Sequence, residues 1–213
     1  QLFTLLEQSW RKHFARRWNC EFQKKPVLPF YTVQLSSLPR PSWPAFRDSQ
    51  RRLAAELPDT WMTVSSDLGD PADDHYRTKR PVGERMALRA LFNEYKHYRM
   101  LETGPMIRRA VQMSNDTTMR VLRNSRGLKT SDGKEPRVFE VAGEDGIFHP
   151  AKAYIDGNRI YLLCPEAKGA RKVRYGWQPF TRANVVNAAG LPMSTFLVNT
   201  MTRKAYDKHD IWQ

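Results

Sequence analysis

The sequence predicts an α/β fold: part of a doubly wound parallel sheet, followed by a small antiparallel β-sandwich. Three observations carry this expectation. Helical and strand-like patterns alternate up to about residue 100, and the strand-like runs there are apolar almost without interruption. After Gly104-Pro105 the pattern changes to short, partly alternating runs spaced roughly ten residues apart and punctuated by Asp-Gly turns. The expected division is an α/β portion over residues 1–100, a β-rich portion over 101–200 and a polar tail over 201–213.

Phe3, Leu6, Trp10, Phe14 and Trp18 recur every three or four residues, which predicts a helix with a wide aromatic face turned to a core. Phe30 to Leu35 is short, β-branched and aromatic, as in a strand covered on both faces. Ser42 fits an N-cap, with Pro44 in the first turn of a helix reaching about Leu57 and an apolar stripe of Phe46, Leu53, Ala54 and Leu57. Pro58-Asp59-Thr60 ends it, and Trp61 to Val64 reads as a second strand. A further helix is expected from about Lys79 to Tyr95, with Val82, Met86, Ala90 and Leu91 on one face. Alternation of this kind implies parallel strands with right-handed crossovers. Two strands do not make such a sheet, and the chain opens inside a helical pattern, so further strands are expected ahead of Gln1.

In the second portion, strands are expected near 106–113, 117–123, 137–142, 150–155, 159–164 and 171–177, with turns at Asp132-Gly133, Asp145-Gly146 and Asp156-Gly157. The clearest hairpin joins Ala153-Tyr154-Ile155 to Arg159-Ile160-Tyr161-Leu162.

The chain has 213 residues, 40% of them hydrophobic, enough for a sizeable core. Its formal net charge of +13 invites a nucleic-acid reading. The basic pairs Arg16-Arg17, Lys24-Lys25, Arg51-Arg52 and Arg108-Arg109 are far apart, however, and form no nucleic-acid-binding module, so no nucleic-acid partner is expected. No apolar run is long enough to span a membrane. Cys20 and Cys164 have no metal-ligand spacing; their pairing depends on the fold.

Chemistry concentrates in Val64-Ser65-Ser66-Asp67-Leu68-Gly69-Asp70-Pro71-Ala72-Asp73-Asp74-His75, where four aspartates and one of five histidines follow the second strand. On composition alone this loop is equally well an ordinary solvated acidic turn. In open α/β sheets ligands bind beyond the carboxyl ends of the strands, which is where this loop lies. Asp73, two residues before His75, is placed to fix the imidazole tautomer and stabilise its cation. Asp74 points elsewhere by sequence adjacency, and Asp70 fits a loop cap. One histidine is too few for a zinc site, and the oxygen spacing is not that of a calcium loop, so no metal is expected. His13 reads as a packing residue, His97 as a helix-end cation, His149 as the start of a strand and His209 as part of the tail. Trp177 offers a sugar-stacking face, with core packing the favoured reading. No Ser-centred nucleophile elbow occurs.

This loop, with Lys79, Val82 and Gly83 following, resembles the catalytic-histidine segment of the sialate O-acetylesterases, which reads like Ile-Asp-Ile-Gly-Asp-Pro-x-Asp-Ile-His-Pro-x-x-Lys. The resemblance extends to Trp10-Arg11-Lys12, Val33-Gln34-Leu35, Phe139 to Gly146, Pro150 to Ala153, Val173 to Trp177 and Gly190-Leu191-Pro192, in the order of that family. It implies a flavodoxin-like, SGNH-type three-layer α/β/α esterase domain with a β-rich domain attached. His75 then matches the general base, Asp73 its orienting carboxylate and Gln34 a position close to the site, taken as substrate-binding. The serine and oxyanion residues lie on upstream stretches, so the implied partners are the N-terminal half of the same protein and an O-acetylated sugar. The implied chemistry needs no cofactor, and the implied compartment is secreted, periplasmic or lysosome-like. Asp74 and Tyr76 depart from the family pattern, which has an apolar residue and proline there.

Overall fold

A computed structural model describes residues 1–17 and 28–210. Trp18, Cys20, Lys24, Lys25 and Pro26 lie outside the described residues, as does any pairing of Cys20; Cys164 is a buried free thiol.

The first portion alternates as expected: helix α1 (Leu2–Arg17), strand β1 (Phe30–Val33), helix α2 (Trp43–Glu56), strand β2 (Thr60–Thr63) and helix α3 (Arg80–Asn93). β1 and β2 pair in parallel, with Phe30 opposite Thr60 and Val33 opposite Thr63. Proline in the first turn starts both α2 and α3, although Ser42 makes no side-chain cap bond. The apolar stripes of α1 and α2 are not packed as the spacing suggests. Phe3 and Trp10 of α1 meet Phe30, with ring centroids 5.2 and 5.8 Å apart, but Leu2, Leu5, Leu6, Trp10 and Phe14 stay exposed. His13 is exposed as well, and packs only edge-on against Phe14. In α2, Phe46 is exposed while the polar Arg47 and Asp48 are buried.

The second portion contains β3 (Met106–Gln112), β4 (Thr117–Arg123), β5 (Lys129–Thr130), β6 (Phe139–Ala142), β7 (Phe148–Pro150), β8 (Lys152–Asp156), β9 (Arg159–Leu163), β10 (Lys172–Tyr175), β11 (Val185–Val186), β12 (Phe196–Thr202) and α4 (Arg203–Asp210). Eight strands form one sheet in the order β7-β6-β10-β12-β3-β4-β9-β8, and β11 pairs with β5 separately. This sheet is mixed and not wholly antiparallel: β12 runs parallel to β3. β7 and β8 are the two edges of the order, yet Ala151 alone separates them in sequence. The sheet must therefore roll until its edges meet. The Ala151 N–H donates to Phe139 O at 3.0 Å, which carries the β6–β7 ladder up to that junction. Inside the roll, Phe139, Val173, Tyr175 and Phe196 face Ala110, Ala153, Ile160 and Leu162. The predicted hairpin is present, closed by Gly157 at φ 56° with Asp156 opposite Arg159. Of the residues read as a tail, 201–210 are the end of a central strand and a helix instead.

The two portions are joined by a buried polar seam. Arg47, fully buried, donates to the carbonyl oxygens of Pro179, Gly176 and Gln178 at 3.0, 2.9 and 2.6 Å. Burial pushes its guanidinium down to about 10, so it stays charged at neutral pH. Asp48 accepts from Leu197 N, and Arg89 of α3 reaches both Met62 O and Glu102. Among the described residues, no helix is long and apolar enough to cross a membrane.

Candidate active site

The acidic loop leaves the carboxyl end of β2, where the sheet argument puts a ligand site. Its first residues are pinned from three sides. Ser65 Oγ donates to Gln34 O at 2.6 Å, Ser37 Oγ donates to Ser66 O, and the Arg85 guanidinium of α3 holds Asp67 through two bonds of 2.7 and 2.6 Å while also reaching Val64 O. Gly69 lies so close to the chain at Ser37 that a Cβ there would stand 2.2 Å from Ser37 O. The β-rich portion completes the support, with Thr181 N donating to Ser37 Oγ and Leu38 N to Pro179 O.

Beyond Gly69 the loop is exposed and organised by its own carboxylates. Asp70 Oδ1 accepts from Ala72 N at 2.8 Å, and Asp73 Oδ1 accepts from His75 N at 2.7 Å. Both are Asx turns, in which a side chain stands in for a backbone acceptor. The loop borders an open concavity of about 580 Å³ lined by Asp67, Asp70, Asp73, Tyr76 and Arg77 among others. The Lys79 ammonium sits 3.7 Å over the Tyr76 ring.

The structure brings Asp73 and His75 together, but through the backbone of His75 and not through its ring. The imidazole is nearly fully exposed, and its Nε2 lies 3.8 Å from Asp74 Oδ1, beyond hydrogen-bond range. Arg40 approaches the other oxygen of Asp74, also at 3.8 Å. Gln34 is buried: its amide donates to Arg47 O and Ser194 Oγ, both at 2.9 Å, and its Oε1 has no partner. That places it under the site, tying β1 to α2 and the β-rich portion. Spacing did not single out Ser37, Arg85 or Thr181. Arg85 is off the apolar face of α3, and nothing in the order of four aspartates tells which one it takes. Among the described residues, no cluster of three or more His, Cys, Asp or Glu side chains is arranged to hold a metal ion. The remaining histidines are outside the site: His97 is exposed past α3 and His149 lies in β7. Trp177 is half-buried, with the Arg174 guanidinium 5.9 Å over its ring.

An exposed imidazole on a pinned loop, flanked by carboxylates, can take a proton from a group presented to it from outside the loop; Ser65 and Ser66 are buried and are not that group.

Among solved structures, the chain matches a carbohydrate acetylesterase from Xanthomonas citri at 32% identity and a TM-score of 0.75, over 91% of this chain. It is similar to that acetylesterase in sequence and in fold. The mixed α/β architecture with its large mixed sheet is thus that of a carbohydrate acetylesterase-like chain. The match covers 46% of the acetylesterase, so the chain spans about half its length. The N-terminal part of the bacterial S-layer protein SbsC also matches, at 9% identity and a TM-score of 0.33 over 59% of this chain and 29% of that one, too low to carry an argument. No family model and no curated protein match the chain.

Proposed function

We propose that the chain is part of a carbohydrate O-acetylesterase, to which it supplies the base of an SGNH-type catalytic triad. The carrying observation is the similarity to the Xanthomonas citri acetylesterase across nearly the whole chain. In this reading the first portion is the end of a flavodoxin-like domain, and the β-rich portion is an accessory domain that buttresses the site from behind. The substrate is an O-acetylated sugar, sialic acid or a related one. The serine comes from a segment outside this sequence.

His75 accepts the proton of the serine hydroxyl as that oxygen attacks the acetyl carbonyl, then returns it to the sugar oxygen as the C–O bond breaks. In the second step His75 takes a proton from water as the water oxygen attacks the acyl carbonyl, then gives it to the serine oxygen as that C–O bond breaks and acetate leaves. Asp73 orients and stabilises the imidazolium. That role requires the His75 ring to turn from its exposed position, which fits the general tendency of catalytic hydrogen bonds to tighten only with substrate in place. Gln34 supports the site as a positioning residue.

The whole protein, assayed on an aryl acetate and on O-acetylated sialic acid, is expected to lose about 10³-fold or more in kcat with His75→Ala and a comparable amount with Asp73→Asn. Wild-type turnover in both variants would sink the assignment. A second reading, a carbohydrate-binding protein of the same fold without activity, is favoured by the engagement of Asp73 with the His75 backbone. Binding of the acetylated sugar with no turnover by the wild-type protein would establish it.

A further inference from the structure

A second cavity, of about 620 Å³, opens between α2, β2 and the paired ends of β3 and β4. It is larger than the concavity beside His75 and lies toward the opposite end of β2, where Asp59 to Met62 line it. This is a size typical of small-ligand sites. Its wall carries Arg51, Arg89, Arg108 and Arg123 against Asp59 and Glu102. Asp48 takes up Arg51, and Glu102 takes up Arg89. Arg108 and Arg123 are exposed, and among the described residues neither has an acidic partner.

Two further features point to a ligand. The β3–β4 register passes from Ile107 opposite Leu122 directly to Arg109 opposite Val121, so Arg108 is the extra residue of a β-bulge. A bulge interrupts the ladder and re-aims one side chain, and it recurs beside functional sites. Here it turns a cation into the cleft. Arg123 pairs with Met106, at the same end of the ladder, so the two unneutralised guanidinium groups share one rim. Opposite them Leu57 and the half-buried Trp61 supply an apolar wall, with the Arg89 guanidinium 5.7 Å over the indole. Like charges on one rim repel unless an anion lies between them. A guanidinium fork matches a carboxylate with two parallel bonds, and an indole face takes the C–H face of a ring.

We propose that this cleft binds a carboxylate-bearing oligosaccharide, with carboxylates on Arg108 and Arg123 and a sugar ring against Trp61, at a site distinct from the acidic loop. The cleft is independent of the esterase reading, because neither the ligand nor the residues include an acetyl group or His75.

Calorimetric titration of the whole protein with unacetylated oligogalacturonate tests it, with a neutral xylo-oligosaccharide and inorganic sulfate as comparators. The expected result is binding of the uronate oligomer in preference to both, weakening with added salt. Arg108→Ala combined with Arg123→Ala should weaken it about tenfold or more at an unchanged melting temperature. Arg108→Lys with Arg123→Lys should fall between, since charge is kept and the fork is lost. Arg40→Ala, beside the acidic loop, should leave binding unchanged. Equal binding of the neutral oligomer, sulfate binding as tight as the uronate, full binding by the double alanine variant, or no binding at all would each overturn the proposal.

Discussion

Asp132 shows how single residues in this chain do their work through geometry that spacing does not reveal. Its carboxylate accepts from the Asn184 amide at 2.9 Å and from Arg137 at 2.6 Å, and these two groups hold its pKa well below the usual carboxylate range. The folded state therefore favours the charged form. This contact stabilises the fold above the ordinary carboxylate value of about 3.9 and is lost as pH falls from there toward the depressed native value. Asp132→Asn should flatten the fall in melting temperature on the acid side of about pH 4; a slope equal to wild type would contradict this account. Arg47 is the stronger case. Replacing it by Met removes three charged hydrogen bonds from a buried seam, leaving Gln178 O without its donor and Gly176 O and Pro179 O with only Thr195 Oγ1 and Leu38 N, a loss of about 3 kcal/mol or more in urea unfolding. A loss below about 1 kcal/mol would mean that the seam relaxes to other partners. That Asp73 and His75 share one loop after β2 is legible in the sequence, whereas the use Asp73 makes of its carboxylate is not. An Asx turn and an imidazole bond are both open to an aspartate two residues before a histidine, and the backbone path of the loop chooses between them.

At the scale of elements, regular structure followed the periodicity closely where a turn residue marked the boundary. β4 and the β8–β9 hairpin fall where alternation and Asp156-Gly157 put them. β12 was missed because Asn199 interrupts its apolar run and charged residues follow it, yet it sits in the middle of the sheet between β10 and β3. The apolar faces of α1 and α2 were read correctly as patterns and wrongly as burial. α2 turns its polar Arg47 and Asp48 inward because the carbonyls and amide of another segment wait there, and hydrogen bonding to buried backbone outweighs the lost apolar contact of Phe46. The loop between β2 and α3 offers an element-scale test. Gly69→Ala places a methyl 2.2 Å from Ser37 O, a backbone atom that cannot swing away, so the loop must lift from the segment that follows β1. We expect a loss of about 1–3 kcal/mol in stability together with reduced acetyl-ester turnover. Unchanged stability and turnover would show that Gly69 is not needed to dock the loop.

On the scale of the whole molecule, the seam decides how the chain behaves. The portions meeting near residue 101 share Gln34 with Ser194, Arg47 with Gly176 to Pro179, Ser37 with Thr181 and Asp48 with Leu197. Partners of this kind cannot be separated without leaving buried polar groups unpaired, so the chain should unfold in one step. Fluorescence of Trp61 and of Trp177, each isolated by replacing the other tryptophans with Phe, should report the same denaturant midpoint; two distinct midpoints would show that the halves unfold separately.

The sequence by itself determined the alternation of helices and strands, the turns and the loop in which the acidic residues and His75 gather, because these depend on local preference and on hydrophobic period. Only the tertiary structure decided which strands are neighbours, that the sheet rolls until its edges meet at Ala151, that Gln34 is buried beneath the loop, and that Arg108 turns into a second cleft. Those outcomes depend on contacts between residues far apart in the chain, where the free energy of satisfying buried polar groups and closing one core overrides what any short segment prefers.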